Sequence, residues 1–330
     1  MTEASKANLK ISLESSRQAK FRKAIVFSCD QGYLPFAAHA AQQISDLNPK
    51  RDFDLCICSG KKPFSPPDSL QALDVRVCQI DVGDSFEGLR LDAGRSHDAY
   101  YLRIAFPEVF SEQYDRILYL DSDIFVQGGD FSALLDVDIG DHAIAAVRDN
   151  IQWRTPNRQV KRNALPGVQD AAYFNSGMML MDVKRCVAVD LLGRCLSFGR
   201  EHANVLTRHD QNLLNAVMNG RWAELSPMWN WQFSWAARLF STLVSPHIIH
   251  FIGPAKPWKD VHAQFEPRFA QSYIRFAAEH FPDFPLEPLV MPRLAPDSRR
   301  FSKMLVKHFM SRKKMARYLA RFPTDLTVHL

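Results

Sequence analysis

Short apolar runs separated by polar turns fill the first three quarters of this chain, and one of them stops abruptly at two carboxylates. Residues 117–120, Ile-Leu-Tyr-Leu, have the continuous apolar character of a strand buried on both faces, and Asp121 and Asp123 follow with one small residue between them. Similar runs predict strands over 24–29, 53–59, 75–80, 142–147, 178–183 and 247–251. Helices are predicted over 35–47, 97–110 with Ser96 as cap, 131–135, 184–201 and 212–218. Strand, polar loop and helix over 24–47 make the opening of a nucleotide-binding α/β unit. If the strand before Asp121 runs parallel to its neighbours, both aspartates stand where open α/β sheets collect ligands. Residues 150–170 are polar, hold Trp153, Pro156 and Pro166, and have the length of a binding loop.

The length of 330 residues suits one large α/β domain, and 46% hydrophobic content is ample for its core. No run reaches the roughly 18 to 20 apolar residues of a membrane span. Residues 1–20 have no hydrophobic centre, so a cytoplasmic location is expected, with residues 1–22 disordered ahead of a domain over 23–290. The six cysteines have neither zinc-site nor disulfide spacing and read as core thiols. The formal charge of +5 is uneven, because nine Lys or Arg and no acid lie between Ser298 and Arg321, which leaves the rest of the chain at −4.

Asp-x-Asp occurs three times, at Asp52/Asp54, Asp121/Asp123 and Asp136/Asp138, so position must separate the copies. The first enters a strand and the third follows a short helix; only Asp121/Asp123 leave a buried strand. Paired hard oxygen donors there suit Mg²⁺ or Mn²⁺, while a solvated turn explains the bare motif equally well. Arg103 lies among apolar residues, as an arginine reaching an anionic partner does. Asn175-Ser176-Gly177 is a polar entry to an apolar strand, which signals close approach of a ligand or backbone. Asp210 reads either as a helix cap or as a ligand contact. His250 could complete a metal site, and Lys256 sits in a loop stiffened by Gly253, Pro254 and Pro257. Neither Gly-x-Gly-x-x-Gly nor a Gly-rich loop ending in Gly-Lys-Ser/Thr is present, against NAD or P-loop nucleotide binding.

Four ordered motifs, Tyr100-Tyr101-Leu102-Arg103, Leu118-Tyr119-Leu120-Asp121-Ser122-Asp123, Phe174-Asn175-Ser176-Gly177 with Asp210-Gln211, and His250-Phe251-Ile252-Gly253-Pro254-Ala255-Lys256-Pro257-Trp258, together resemble the family 8 glycosyltransferases. The likeness is strongest to the bacterial lipopolysaccharide and lipooligosaccharide galactosyl- and glucosyltransferases of that family. It implies a single GT-A domain of α/β class, Rossmann-like, with a mixed central sheet, and retaining transfer of galactose or glucose from a UDP-sugar to an oligosaccharide or lipid-linked acceptor. It also implies that Asp121, Asp123 and His250 ligate Mn²⁺, with Mg²⁺ as the alternative, and that Lys256 neutralises the diphosphate. Asp30 and Tyr33 would hold the uracil. Arg103, Asp149, Asn175, Asp210 and Gln211 match positions that contact the donor sugar, Gln211 lying beneath the anomeric carbon. Ser122, Ser176 and Gly253 belong to the same motifs and count with the donor-binding residues. Loop 150–170 is assigned to the acceptor. Gly32 departs from the family, which commonly has Asn there to touch the ribose.

The residues after 298 read as a basic amphipathic tail, 298–330, with Phe301, Leu305, Phe309, Ala316 and Leu319 at roughly helical spacing. A helix of this kind is expected on the anionic inner face of a cytoplasmic membrane, dispensable for turnover on a soluble acceptor. The alternatives are a basic face packed on the protein's own body or, less favoured, nucleic acid, for which no module is present. Two other functions compete: a UDP-sugar sensor without turnover, and an Asp-x-Asp phosphohydrolase, whose pair normally lies on the first strand.

Overall fold

The computed structural model describes residues 11–64, 66–89, 97–156, 158, 172–203, 209–234, 237–260, 264–286 and 299–330. Among these, strands β1 (Ser12–Ser15), β2 (Lys23–Ser28), β3 (Asp54–Ser59), β4 (Val75–Asp81) and β5 (Arg116–Leu120) build half of a large mixed sheet. A short strand β6 (Ile124–Val126) leaves it after the aspartates. Strands β7 (Ile144–Arg148), β8 (Phe174–Asp182) and β9 (Ala223–Leu225) continue the sheet. Strands β10 (Trp231–Gln232) and β11 (Ile248–His250) join β6 in a small second sheet, and β12 (Val328–His329) closes the far edge of the large one. The large sheet therefore runs β1-β4-β3-β2-β5-β8-β7-β9-β12.

Helices cover both faces, which is why the central strands are apolar without alternation. Leu118 and Leu120 of β5 pack in one layer with α1 (Leu34–Leu47), while Ile117 and Tyr119 pack in the other with α2 (His97–Val109). The short helices α3 (Phe131–Leu135) and α4 (Asn150–Trp153) follow β6 and β7. The helix expected over 184–201 is two, α5 (Val183–Ala188) and α6 (Leu191–Glu201), because Asp190 between them takes a left-handed φ of 51° and caps α6 through Gly193 N. Helices α7 (His209–Met218), α8 (Arg238–Val244), α9 (Pro267–His280) and α10 (Arg299–Leu319) complete the described elements. All six cysteines are buried, and Cys56 and Cys58 face the same layer.

Three expectations are sharpened or corrected by the structure. The sheet is mixed as expected, and within it the strand before Asp121 is parallel to β2 but antiparallel to β8. The reversed strand brings Asn175, Ser176 and Gly177 alongside the aspartates, with Asp121 N donating to Gly177 O at 2.8 Å, so the polar entry is itself the first part of β8 and lies close to another backbone. Second, residues 11–22 are ordered. β1 pairs antiparallel with β4, and Arg17 reaches buried Asp54 at 2.8 Å. Residues 1–10 lie outside the described residues, as do Ser96 and most of loop 150–170.

Third, the basic C-terminal segment is docked. The apolar residues named for the tail are not its buried ones: Met304, His308, Met315 and Tyr318 face inwards, whereas Leu305 and Phe309 are exposed. Spacings of four, seven and three along one helix give this inner face. After α10 the chain turns back, Phe322, Leu326 and Val328 join the core layer, and β12 pairs antiparallel with β9. The rival Asp-x-Asp pairs are structural: Asp52 and Asp136 both hold Lys23, and Asp138 caps the turn to Gly140 N.

Candidate active site

The turn Asp121-Ser122-Asp123 carries the chain from β5 into β6, and β6 pairs antiparallel with β11, placing Ile124 opposite His250. Phe251 N donates to Asp123 O at 3.0 Å and secures the crossing. Ligand atoms of Asp121, Asp123 and His250 consequently lie within 4.8 Å of one another. Each aspartate has one oxygen engaged. Asp121 Oδ1 accepts from Tyr119 Oη at 2.6 Å and pairs with Arg103 Nη2 at 2.9 Å; Asp123 Oδ2 accepts from Lys256 Nζ at 2.5 Å. The other two oxygens, Asp121 Oδ2 and Asp123 Oδ1, lie 3.6 and 3.2 Å from His250 Nε2. Burial pushes the Asp123 carboxyl up, but the charge the His250 ring carries when protonated and the Lys256 ammonium outweigh it and hold it well below the usual carboxylate range.

A chain of amides fixes which His250 nitrogen faces the carboxylates. Backbone N–H groups can only donate, so Gly177 N at 3.1 Å identifies the Asn175 oxygen and Ser176 N at 3.4 Å the Gln211 oxygen. Asn230 Nδ2 then donates to Asn175 Oδ1, and Asn230 Oδ1 is left to accept from His250 Nδ1 at 2.9 Å. In the neutral ring the Nε2 lone pair therefore points at the two carboxylates. Gly177 lets this happen, since a Cβ there would lie 2.3 Å from His250 Cε1 and 2.6 Å from Asp121 Oδ2.

Away from the triad, Arg103 Nη1 pairs with Asp210 at 3.0 Å and donates to Ser176 O at 3.2 Å. Its guanidinium lies 4.5 Å from the Tyr119 ring centre. Burial pushes the Asp210 carboxyl up, Arg103 pulls it down and Asp121 repels its charge, for a net shift upwards. Asp210 is thus in the first turn of α7 and binds across the cleft. Gln211 is fully engaged: its oxygen accepts from Asn175 Nδ2 and Ser176 N, while its Nε2 donates to Asp149 Oδ2 at 3.2 Å and Tyr173 Oη at 3.0 Å.

The triad, Lys256, Arg103, Asp210 and Gln211 line one cleft of about 860 Å³, together with Tyr33, Gly253, Phe233 and Arg238. Asp30 is not in the lining; its carboxylate caps Tyr33 N at 3.0 Å. A Cβ at Gly32 would meet Asp30 Oδ1 at 3.3 Å, so a side chain there would crowd that cap. Gly253 has a left-handed φ of 87° with nothing within 4 Å of a Cβ, so it is needed for the turn and not for space. Ser122 is buried and its Oγ has no hydrogen-bond partner among the described residues. Asn230 and Tyr173 are the functional neighbours that pattern reading misses. Asn230 follows the 3-10 turn Pro227–Trp229 in a segment with no motif, and Tyr173 stood in the sequence only as the residue before Phe174.

The donor set fits a divalent cation. Asp123 Oδ1 is buried without a hydrogen bond, and one carboxylate oxygen from each aspartate converges with one imidazole nitrogen, a mixture that Mn²⁺ or Mg²⁺ with open positions accepts. Comparison with known proteins agrees in fold. The galactosyltransferase LgtC, solved with donor and acceptor sugar analogues, superposes with a TM-score of 0.63 over 82% of this chain and 98% of its own, at 22% identity. Its fold is GT-A. A stretch of 175 residues is 34% identical to general stress protein A of Bacillus subtilis, covering 48% of this chain and 59% of that one. Another of 169 residues is 31% identical to the lipopolysaccharide 1,3-galactosyltransferase of Salmonella typhimurium, covering 48% and 49%. The matched regions span about half to three fifths of these relatives. The sequence profile of glycosyl transferase family 8 matches residues 24–262, most of the chain, and the protein belongs to that family.

Proposed function

We propose that this protein is a retaining, Mn²⁺-dependent hexosyltransferase that moves galactose or glucose from a UDP-sugar to a saccharide acceptor of the lipopolysaccharide or lipooligosaccharide class. The observation that carries the reading is the convergence of Asp121 Oδ2, orphaned Asp123 Oδ1 and His250 Nε2 beside the Lys256 ammonium. When bound there, a divalent cation would supply positive charge against the departing diphosphate. The chain's own residues do the rest. Lys256 turns from Asp123 towards a β-phosphate oxygen and stabilises the charge that develops as the bond to the anomeric carbon breaks. Arg103 holds Asp210 and the Asn175–Ser176 strand in place at the sugar side. Gln211, with both ends of its amide engaged, is a poor nucleophile and a rigid floor. The acceptor hydroxyl therefore attacks from the face the diphosphate leaves, its oxygen bonding to the anomeric carbon while its proton passes to the departing phosphate oxygen, and configuration is retained. Tyr33, at the rim of the cleft and 37% exposed, is placed for a base to stack on it.

The test is UDP release from a panel of nucleotide sugars with Mn²⁺, by wild type and Asp123→Ala, without acceptor. Release from one hexose donor, reduced at least about 100-fold in the variant, supports the reading and names the sugar. If UDP-sugar binds to the wild type with Mn²⁺ and is never consumed, with or without saccharide acceptors, the sensor reading replaces it.

The outward face of α10 supports association with an anionic membrane surface at the cytoplasmic side. Leu305, Val306, Phe309 and Met310 are exposed among Lys303, Lys307, Arg312 and Lys313. Each basic residue near such a surface contributes about 1 kcal/mol. No described helix is long and apolar enough to cross a membrane. Wild type is expected to sediment with phosphatidylglycerol vesicles at low salt and to be released by 0.5 M NaCl, a concentration chosen to shorten the screening length to about 4 Å. The double variant Phe309→Glu, Met310→Glu should stay in the supernatant with UDP release unchanged; sedimentation equal to wild type would remove the membrane from the proposal.

A further inference from the structure

The C-terminal segment has an inward face that membrane association does not use. Glu224 of β9 is buried, and its two oxygens take two guanidinium groups and a phenol. Arg148 donates from Nε at 2.9 Å and Nη2 at 2.7 Å; Arg321 donates from Nη1 at 3.0 Å and Nη2 at 2.8 Å; Tyr318 Oη donates at 3.2 Å. Arg148 comes from the end of β7, whereas Arg321 and Tyr318 come from the tail. A carboxylate shared in this way ties the two segments together more tightly than a surface ion pair, because charge-assisted bonds removed from water are stronger and more directional.

Arg148 immediately precedes Asp149, the carboxylate that holds Gln211. Its backbone is fixed as firmly as its side chain: Arg148 O accepts from Trp153 Nε1 at 2.6 Å and from Gln232 Nε2 at 3.0 Å. Trp153 lies flat against Tyr318, with ring centres 5.7 Å apart and planes 14° from parallel. Arg154, the next residue, donates to Ser311 Oγ of α10 at 3.3 Å. Helix α4, whose residues Asn150 and Ile151 line the cleft, is thus held from behind by α10 and the residues after it.

We propose that Tyr318 and Arg321 are positioning residues for the sugar side of the active site, acting through Glu224, Arg148 and Trp153 on Asp149 and so on Gln211. They touch no substrate. The inference rests on the donor reading above and makes the tail a working part of the catalytic domain, contrary to the expectation that it is dispensable for turnover. Because the triad and Lys256 hang on β5, β6 and β11, loosening Tyr318 or Arg321 should disturb the hexose end of the donor and leave the diphosphate end intact. Small displacements of a positioned reacting group lower rates by one to two orders of magnitude.

The experiment uses the full chain with Tyr318→Leu, Tyr318→Phe and Arg321→Ala. Three quantities are read: UDP release at saturating UDP-hexose, affinity for UDP itself with Mn²⁺ by calorimetry, and amide hydrogen exchange across residues 148–153. Expected are a fall in release of about tenfold or more for Tyr318→Leu and Arg321→Ala, unchanged UDP affinity, and faster exchange at 148–153 with protection in β2 and β5 retained. Tyr318→Phe keeps the stacking on Trp153 and loses only the bond to Glu224, so it should fall between. If exchange at 148–153 and release both stay at wild-type values, the proposal is overturned. Equal losses of UDP affinity and turnover also overturn it, since they describe general unfolding. If wild type neither binds UDP nor releases it, the donor reading fails, and hydrogen exchange still decides whether the tail holds α4.

Discussion

Asn230 shows how a residue without chemistry of its own decides what a neighbour can do. Its amide receives its orientation from Gly177 N–H by way of Asn175, and passes it on to the His250 ring, so that one imidazole nitrogen faces two carboxylates with its lone pair. Neighbours that orient a metal ligand typically govern about 10- to 100-fold in metal affinity. Asn230→Ala is therefore expected to weaken Mn²⁺ activation by that factor, read as the metal concentration giving half-maximal UDP release, with circular dichroism unchanged. Gly177→Ala is the steric counterpart. A methyl 2.3 Å from His250 Cε1 and 2.6 Å from Asp121 Oδ2 must drive the ring and carboxylate apart, and loss of Mn²⁺-dependent release is expected. Full activity in that variant would show that the triad is not the centre. At this scale Asp121, Asp123, His250 and Lys256 were legible as residue types at motif spacing, while Asn230 and Tyr173 were not, because hydrogen bonds between segments 20 to 55 residues apart have no local pattern.

Among the elements, β8 and the C-terminal hook depart most from what periodicity suggests. The run 178–183 reads as a strand by its apolar content, but β8 begins at Phe174, and only its antiparallel pairing with β5 gives its polar first residues a purpose. The hook formed by residues 320–329 is short, mixed in composition and without helical or strand periodicity. It is held nonetheless by Glu224, by Trp229 Nε1 donating to Asp325 O at 2.9 Å, and by His247 Nε2 at 2.8 Å from Asp325 Oδ2. Removing one member of a buried charge cluster strands the others. Glu224→Ala, which leaves Arg148 and Arg321 facing each other, should cost about 3 to 5 kcal/mol in urea unfolding. A loss below about 1 kcal/mol would mean that the hook is only loosely attached.

For the molecule as a whole, the same cluster makes stability depend on acid. Burial raises the Glu224 carboxyl, but Arg148 and Arg321 outweigh it, so its folded pKa lies below its unfolded one. The unfolded chain then binds more protons in that range, and the contribution of Glu224 is full above the ordinary glutamate pKa of about 4.3 and lost as pH falls through the depressed folded value. Tm measured from pH 7 to 3 should accordingly decline more steeply below pH 4.5 in wild type than in Glu224→Gln. Parallel curves would assign the acid sensitivity to other carboxylates. The domain itself stands on two apolar layers, one on each face of a nine-stranded sheet, and these follow from the alternation of Leu118 and Leu120 with Ile117 and Tyr119.

By itself the sequence determined which residues could do chemistry and which strands were buried, because both are local properties: side-chain type, motif spacing and apolar run length. It determined that Asp121 and Asp123 end a covered strand, and that a basic helix follows residue 298. Tertiary structure alone decided the strand directions that bring Gly177 to Asp121, the relay through Asn230 that orients His250, and the docking of Tyr318 and Arg321 behind the cleft. Those are properties of contacts between distant segments, which form when a whole face is removed from water, and no window of the chain contains them.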